Sequence, residues 1–219
     1  VFFSVPLGAD IRLPALIGHH MVIQRNAEYP VWGWAGPGEK VTVRFNGRKV
    51  SAVAGEDSLW IAPLKPMKAG GPYEMRIEGG NRITLYNILV GDVWICSGQS
   101  NMEWPVKYSA NPDEEIWNGS HPKIRLFEVR KDGYPDPLND CMGQWQECEP
   151  HTVGDFSALG YYFARALKDS LDIPIGMIQA AWGGTNIHTW ISRRALETNP
   201  DTRYILDGWG PIIDGKPRE

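Results

Sequence analysis

The sequence has no excess of basic residues and no long apolar run. It contains 22 Lys and Arg against 26 Asp and Glu, which gives a formal net charge of −4. Because neutralisation of backbone phosphates dominates the affinity of proteins for nucleic acid, we expect no nucleic-acid partner. The sequence has no run of 18 apolar residues, so none of its segments is predicted to cross a membrane.

Cysteine is scarce, and the three residues cannot all pair within one chain. Cys96 lies in an apolar run, where a cysteine typically packs as a small hydrophobic residue. Cys141 and Cys148 are close enough in sequence to form a disulfide in an oxidising compartment. Spacing alone does not distinguish a bridged from a free pair, so both states stay open.

Residues 1–9 are apolar and small and do not begin with Met. They have the character of the end of a signal peptide, finishing in Leu7-Gly8-Ala9, although Leu7 is large for its position before the cleavage site. We interpret residues 1–9 as a signal-peptide remnant or tail. The protein is therefore expected to be secreted or periplasmic, or lysosomal or extracellular in a eukaryote.

Residues 10–88 have the pattern of short β-strands. Residues 41–45 alternate apolar and polar side chains, Asn46-Gly47 is typical of a tight hairpin turn, and residues 48–53 return. Similar strands recur further on, separated by Pro and Gly. This spacing predicts a small N-terminal β-sandwich domain over residues 10–88. For its tryptophans we favour packing over sugar binding: Trp32, Trp34 and Trp60.

Residues 89–219 change to strands that alternate with helices, the pattern of a parallel α/β sheet. Apolar runs predict strands at residues 93–96, 123–129 and 175–181, the first of them buried on both faces. Residues 130–154 are interpreted as a long loop.

Three helices are predicted within this second part. One starts after Asn111 as its N-cap, with Pro at the first helical position. A second starts at Asp155, and a third runs from about residue 187 to 197. The second helix has apolar residues at helical spacing, which predict its buried face: Phe156, Leu159, Phe163, Ala166, Leu167 and Leu171.

A polar cluster directly follows the first of the α/β strands. Ser97-Gly98 ends the strand, and Ser100 then lies on a tight turn at its tip. Such a turn can hold a hydroxyl clear of the backbone and aim N–H groups at one point, as nucleophilic attack on an acyl group requires. The match to the Gly-x-Ser-x-Gly elbow is partial, because Met102 replaces the last glycine. By itself, an exposed serine after a strand is more often a turn or cap residue.

A glycine pair, Gly183-Gly184, ends the strand at residues 175–181. In open α/β sheets, sites form at the carboxyl ends of the strands. Ser100 and the glycine pair are therefore predicted to lie at the same edge, where a backbone N–H could face the serine.

Three segments, in the expected order, resemble the sialate O-acetylesterases of the SGNH hydrolase superfamily: VWICSGQSNM (93–102), FSALGYYFA (156–164) and PIGMIQAAWGGT (174–185). Residues 13–16 and 20–25 also resemble the start of the N-terminal β domain of that family. The resemblance covers residues 10 to about 198. It implies a flavodoxin-like parallel sheet with helices on both faces, incomplete in this chain and preceded by the small β-sandwich.

The resemblance implies roles for matched residues. Ser100 would be the nucleophile, and the N–H groups of Ser100 and Gly184 would form part of the oxyanion hole. Gln99, Asn101 and Thr185 would shape the substrate pocket. A glycine at position 184 could also simply close the strand–helix turn, and the two roles are compatible.

The implied activity is that of a serine esterase that removes O-acetyl groups from carbohydrates, either sialic acid or plant cell-wall polysaccharide, through an acetyl-enzyme. Neither a metal nor an organic cofactor is implied. The alternative is a non-catalytic carbohydrate-binding protein that has kept an esterase-like sheet.

The base that such an esterase needs is absent from the sequence. The family takes its base from an Asp-x-x-His motif and uses a Gln-Gly-Glu segment at the oxyanion hole, and neither motif occurs here. His188 lies near the site in sequence, but where the family usually has Glu, so we interpret it as a polar helix residue. Three strands would also leave an open sheet edge, which soluble proteins avoid. We therefore interpret the chain as the N-terminal portion of a longer protein. We expect a second polypeptide, which arises by nicking, by processing or as a separately produced chain, to carry the remaining strands and the Asp/His pair.

Overall fold

The computed structural model describes residues 10–134 and 136–206, so the interpretation of residues 1–9 lies outside the described chain. Ten strands are assigned within it: β1 (Val22–Gln24), β2 (Tyr29–Trp34), β3 (Lys40–Phe45), β4 (Arg48–Val53), β5 (Leu59–Leu64), β6 (Gly70–Glu78), β7 (Arg82–Gly98), β8 (His121–Glu128), β9 (Trp145–Cys148) and β10 (Ile175–Ala181). The α-helices are α1 (Ser100–Glu103), α2 (Pro112–Trp117), α3 (Pro150–Val153), α4 (Ala158–Leu171) and α5 (Arg193–Thr198).

The first part of the chain consists of two β layers. β4, β3, β6 and the first half of β7 form one layer, and β2 and β5 form the other. The predicted hairpin between β3 and β4 is confirmed, with both turn residues, Asn46 and Gly47, at positive φ. Trp60 is buried in the core between the layers, which agrees with packing as its role.

β7 is a single strand of 17 residues that belongs to both parts of the molecule. Its first half pairs antiparallel with β6, and its second half pairs parallel with β10. The predicted domain boundary after residue 88 therefore falls inside a continuous strand. An independent sandwich domain over residues 10–88 stays a prediction.

A mixed sheet continues from the second half of β7. β7, β10 and β8 are parallel, and β9 adds an antiparallel strand at the edge. The third α/β strand, β10, lies between the first and the second. A flavodoxin-like order would instead place the first strand between the other two, so the described sheet differs from that expectation.

The prediction that residues 130–154 form a loop is wrong in part. The segment contains β9 and α3, and β9 pairs with β8 through Phe127 and Trp145. Trp145 is buried and its ring contacts that of Phe127 at a centroid distance of 5.4 Å. This aromatic contact across two strands explains why a short segment rich in polar residues still forms a strand.

The structure corrects the start and the face of α4. Ser157, not Asp155, is its N-cap and accepts a hydrogen bond from Gly160 N; Asp155 instead pairs with Lys107. Small residues dominate the buried face because the helix lies close to the sheet: a Cβ on Gly160 would lie 2.9 Å from Cys96 Sγ. The predicted face is wrong for four residues, which are exposed: Leu159, Phe163, Ala166 and Leu171.

The strand that leads to Ser100 is not buried on both faces. Trp94 is 43% exposed and Ile95 is 70% exposed. Over residues 92–98, β7 has β10 on one side, and the described residues supply no strand on the other. Both side chains lie beside this open edge, which explains their exposure.

The predicted helix at residues 187–197 is interrupted. Ile187–Trp190 forms a 3₁₀ turn, and α5 starts only after Ser192, whose hydroxyl caps it by accepting from Ala195 N. Ile191 between them has an extended backbone. A good N-cap inside the apolar pattern therefore starts a new helix instead of continuing the first turn.

The three cysteines are free thiols, and Cys96 and Cys148 are buried. Burial raises the pKa of Cys96 to about 11 and that of Cys148 to about 12. Cys96 packs as the small hydrophobic residue that its apolar run predicts. In the part of the chain that the structure describes, no helix has both the length and the apolar character that a membrane crossing needs.

Candidate active site

The loop that carries Ser100 is a tight turn followed by one turn of helix. Gly98 ends β7 at a φ of +145°, and Ser100 is the first residue of α1. The carbonyl of Gln99 accepts from the N–H groups of Met102 and Glu103 at 2.9 and 3.0 Å. Ser100 is exposed at the surface, as its predicted place at a strand tip requires.

The glycine turn after β10 lies directly against this loop. Trp182 N donates to Gly98 O at 2.9 Å, which joins the two strand ends. A Cβ on Gly183 would lie 3.2 Å from Ser100 Oγ, so the two loops are in contact. Gly184 has a φ of +78°, in the left-handed region that favours glycine. The structure thus brings the two predicted loops together, and the oxyanion role of Gly184 stays a prediction.

The other predicted pocket residues flank the two loops. Gln99 and Asn101 are exposed on either side of Ser100. Thr185 Oγ1 donates to Trp182 O at 2.7 Å and accepts from Trp190 Nε1 at 2.9 Å. The Thr185 hydroxyl therefore stabilises the glycine turn, and its contribution to a substrate pocket stays a prediction.

Glu103 is a further residue of the site, which was not among the predicted ones. Its carboxylate accepts hydrogen bonds from Gly183 N and from Lys131 Nζ. The hydrogen bond from Lys131 is the main reason that the pKa of Glu103 is lowered. A sequence signal existed, because Glu103 follows Ser100 by one helical turn and therefore shares its neighbourhood.

A second carboxyl lies near this ion pair. Glu128 ends β8 at the same edge of the sheet, and its pKa is raised, mainly by desolvation. The charge of Glu103 raises this pKa further, whereas that of Lys131 lowers it. The edge thus combines one ionised carboxylate, one cation and one carboxyl that ionises less readily.

The histidines near the amino ends of the parallel strands have other partners. His121 starts β8, and its ring contacts the Tyr161 hydroxyl at 3.2 Å. His20 pairs with Glu147 at 3.2 Å, and His151 pairs with Glu149 at 3.3 Å. In the part of the chain that the structure describes, no residue, histidine or other, forms a hydrogen bond with the Ser100 hydroxyl.

Two cavities of the described chain also lie away from Ser100. One, of about 550 Å³, is lined by His19, His20 and His151 among others. The second, of about 560 Å³, lies beside the buried Arg125. Neither is lined by Ser100 or Gly184. Across residues 10–134 and 136–206, no group of three or more His, Cys, Asp and Glu side chains could hold a metal ion.

Comparison with known proteins finds similarity over most of the chain. The sequence profile of a family described as carbohydrate esterase, sialic acid-specific acetylesterase matches residues 90–202. The sialate O-acetylesterases of Rattus norvegicus and Homo sapiens are each 34% identical to the chain, over 90% and 87% of its length. The chain spans 40% of the length of each of these relatives.

A solved structure is similar in fold as well as in sequence. It is a carbohydrate acetylesterase from Xanthomonas citri, which is 34% identical and superposes with a TM-score of 0.84. The similarity covers 87% of this chain and 44% of that protein.

Proposed function

Because the chain belongs to the family of carbohydrate esterases described as sialic acid-specific acetylesterases, we propose that it removes O-acetyl groups from carbohydrates. The residues that match the family include both loops around Ser100. The observation that carries the proposal is the contact of Ser100 with the glycine turn, in which a Cβ on Gly183 would lie 3.2 Å from Ser100 Oγ. This contact brings the backbone of the glycine turn beside the hydroxyl, and acyl transfer at a serine needs backbone donors near the position of the developing oxyanion.

In the first half of the proposed reaction, Ser100 Oγ attacks the carbonyl carbon of the acetyl ester and its proton passes to a base. The carbonyl oxygen becomes the oxyanion of a tetrahedral intermediate, which accepts hydrogen bonds from the N–H groups of Ser100 and Gly184. Ser100 starts α1, and N–H groups in the first turn of a helix have no partner within it. Loss of one such donor typically raises the barrier by about 3–4 kcal/mol.

In the second half, the intermediate collapses and the carbon–oxygen bond to the sugar breaks. The sugar oxygen takes the proton from the base, and the acetyl group stays on Ser100. Water then gives a proton to the base and attacks the acetyl carbon, which releases acetate and restores the serine hydroxyl. Neither a metal nor an organic cofactor takes part in this scheme.

We propose that the base is a His oriented by an Asp, both on a second polypeptide that carries the rest of the α/β domain. The open edge of β7 supports this proposal, because its N–H and C=O groups can pair with a further strand. Apolar side chains lie exposed beside that edge on both faces of the sheet. Trp94 and Phe163 pack edge to face at 5.0 Å on the side of α4, and Ile95 projects on the other side.

The proposed substrate is either O-acetylated sialic acid or an O-acetylated polysaccharide of the plant cell wall. The similarity to a sialate O-acetylesterase and to a carbohydrate acetylesterase supports this class. Three exposed tryptophans near the two loops offer aromatic faces on which a sugar ring can stack: Trp104, Trp182 and Trp190. Secretion, expected from residues 1–9, is part of this proposal.

Ser100→Ala is the direct test. In the purified protein, together with any polypeptide that accompanies it, the substitution should lower kcat for acetyl release by about 10⁴-fold or more. Ser97→Ala is the matched control, because Ser97 lies in β7 and is exposed like Ser100; its kcat should stay near that of the wild type. A loss of less than tenfold for Ser100→Ala would remove this residue from the mechanism.

Covalent labelling distinguishes the esterase from a non-catalytic carbohydrate-binding protein. A serine-directed phosphonate should modify Ser100 and no other serine, because only an activated hydroxyl attacks phosphorus readily. Family membership and the contact between the two loops already disfavour the binding-protein alternative. Peptide mass spectrometry reads the result, and an unmodified Ser100 in a preparation that binds acetylated sugar would favour that alternative.

A further inference from the structure

Glu103 joins the three loops that follow the parallel strands. It belongs to the loop after β7, whereas its partners Lys131 and Gly183 follow β8 and β10. Each carboxylate oxygen has a separate partner: Oε1 accepts from Lys131 Nζ, and Oε2 accepts from Gly183 N. Lys131 and Glu103 are only partly exposed, with 39% and 26% of their side chains accessible. The contact is therefore a partly solvent-exposed junction at the edge of the site.

The hydrogen bonds of Glu103 determine which backbone N–H groups remain available to an oxyanion. The N–H of Gly183 is already occupied by Glu103, so it cannot also face a reacting carbonyl. Gly184 is the next residue, and its conformation at a φ of +78° depends on how Gly183 is held. Trp182 is fixed to Gly98 on the other side of the turn. Gly183 is therefore the point at which Glu103 controls the orientation of the Gly184 peptide.

The charge of Glu103 needs a partner at this place. A Cβ on Gly183 would lie 2.6 Å from Glu103 Oε2 and 3.2 Å from Ser100 Oγ, so the carboxylate and the hydroxyl flank the same glycine. An uncompensated carboxylate beside Ser100 would disfavour a developing oxyanion. Lys131 compensates this charge through its hydrogen bond.

We propose that Glu103 is a positioning residue that holds Gly183 so that the Gly184 N–H faces the reaction centre, while Lys131 cancels its charge. This proposal rests on the proposed esterase function. It predicts that Glu103 and Lys131 act as a unit, because the carboxylate supplies two acceptors for exactly two donors. An amide at position 103 supplies one oxygen, which can satisfy only one of the donors.

A double-mutant cycle in the active protein tests this unit. Glu103→Gln leaves one donor without an acceptor, and Lys131→Met leaves the carboxylate uncompensated, so each should lower kcat by about tenfold or more with KM changed by less than about threefold. In the double variant Glu103→Gln/Lys131→Met, one amide oxygen meets one donor, Gly183 N. Its kcat should return to within about threefold of the wild type. Losses that simply multiply in the double variant would overturn the proposal.

Amide exchange tests the junction without any substrate. In the ¹⁵N-labelled 219-residue chain, Glu103→Ala should speed hydrogen exchange at the Gly183 amide by about tenfold or more. Glu115→Ala is the matched control, because Glu115 pairs with Arg165 between α2 and α4, and it should leave Gly183 unchanged. An unchanged rate in Glu103→Ala overturns the proposal, whereas protection at Gly183 in a protein without esterase activity would count against the proposed function alone.

Discussion

Asp92 lies where the strand paired with β7 changes from β6 to β10. Its carboxylate joins β7 to the end of β1. Arg25 donates to it from Nε at 2.7 Å and from Nη2 at 3.0 Å, which is a bidentate pair. The backbone N–H of Asp92 donates to the carbonyl oxygen of Pro174, the residue just before β10. Val93 N adds a contact in the opposite direction by donating to the Gln24 side chain at 2.8 Å. One residue thus connects the β layers to the parallel sheet.

Asp92→Asn should make the stability of the fold less dependent on pH in the acidic range. The hydrogen bond from Arg25 is the main reason that the pKa of Asp92 is lowered. A carboxyl with a lowered folded-state pKa stabilises the fold above its unfolded value of about 3.9, and this contribution is lost as the pH falls through the folded-state pKa. The variant should therefore have a Tm lower by about 2–4 °C at pH 7, and the difference should shrink below about pH 4.

Thermal unfolding followed by circular dichroism between pH 3 and pH 7 measures this difference. Asp172→Asn is the control, because it makes the same charge change at a carboxylate that pairs with Lys123 but is 87% exposed. Such pairs contribute little, so its Tm should change less. A Tm difference for Asp92→Asn that stays constant down to pH 3 would contradict the prediction.

At the same scale, the sequence located some site residues and not others for a physical reason. Ser100 and the Gly183-Gly184 turn each follow an apolar strand directly, and parallel strands end at one edge, so their meeting could be predicted. The role of Glu103 could not, because its partners Lys131 and Gly183 lie 28 and 80 residues away. Nothing in the local pattern around Glu103 indicates which distant donors it meets.

Among the elements, β7 and the segment before β10 approach each other closely at Gly91. A Cβ at this position would lie 1.9 Å from the carbonyl oxygen of Pro174, which is far inside van der Waals contact. The same peptide accepts from Arg25 N through the Gly91 carbonyl at 2.7 Å. Backbone on both sides leaves no flexible side chain that could move away.

Gly91→Ala should therefore destabilise the fold by about 3 kcal/mol or more, because the added methyl group overpacks a rigid junction. Urea unfolding monitored by tryptophan fluorescence measures the change. Gly133→Ala is the matched control, since a Cβ there would meet nothing within 4 Å, and its midpoint should stay near that of the wild type. A loss below about 1 kcal/mol for Gly91→Ala would show that the two strands can separate at little cost.

The elements also show where periodicity predicts packing and where it does not. The start and end of β10 were predicted to the residue, because an apolar run bounded by Pro174 and Trp182-Gly183 has clear limits. For α4 the largest apolar residues predicted the wrong face, since close contact with the sheet selects small residues such as Gly160 and Ala164. Leu159 and Phe163 are exposed instead, and Phe163 packs against Trp94 at the open edge of β7.

On the scale of the whole molecule, the alternation of strands and helices predicted a parallel sheet but not its order. Sequence pattern specifies the direction of each strand through the connection that precedes it. It does not specify that β10 inserts between β7 and β8. Among residues 10–134 and 136–206, the insertion leaves the outer edge of β7 without a neighbouring strand over residues 92–98. This edge is where the proposed second polypeptide would add its strand.

Ile95→Asp should prevent this association without unfolding the chain. Ile95 is 70% exposed, so a charge there costs the isolated chain little, but it would be buried by a partner that covers the edge. Native mass spectrometry of the purified protein should show at least about a tenfold loss of the accompanying polypeptide. Ile61→Asp, at a 52% exposed position in β5, should leave it in place.

A different result would count against the second polypeptide itself. If wild-type protein is a single homogeneous 219-residue species with full esterase activity, the base must be found within this chain. The measurement is the same native mass spectrum, combined with an assay of acetate release from acetylated sugar.

The length of β7 has a mechanical consequence. One strand starts among the β layers and stops two residues before Ser100. Its pairing with β6 is irregular near Asn87, which has a φ of +57°, and a strand can bend at such a place. Since the same strand runs through both regions without an intervening loop, a large swing of one region against the other would have to break its ladder of hydrogen bonds, so access to the serine is governed by the short loops around it.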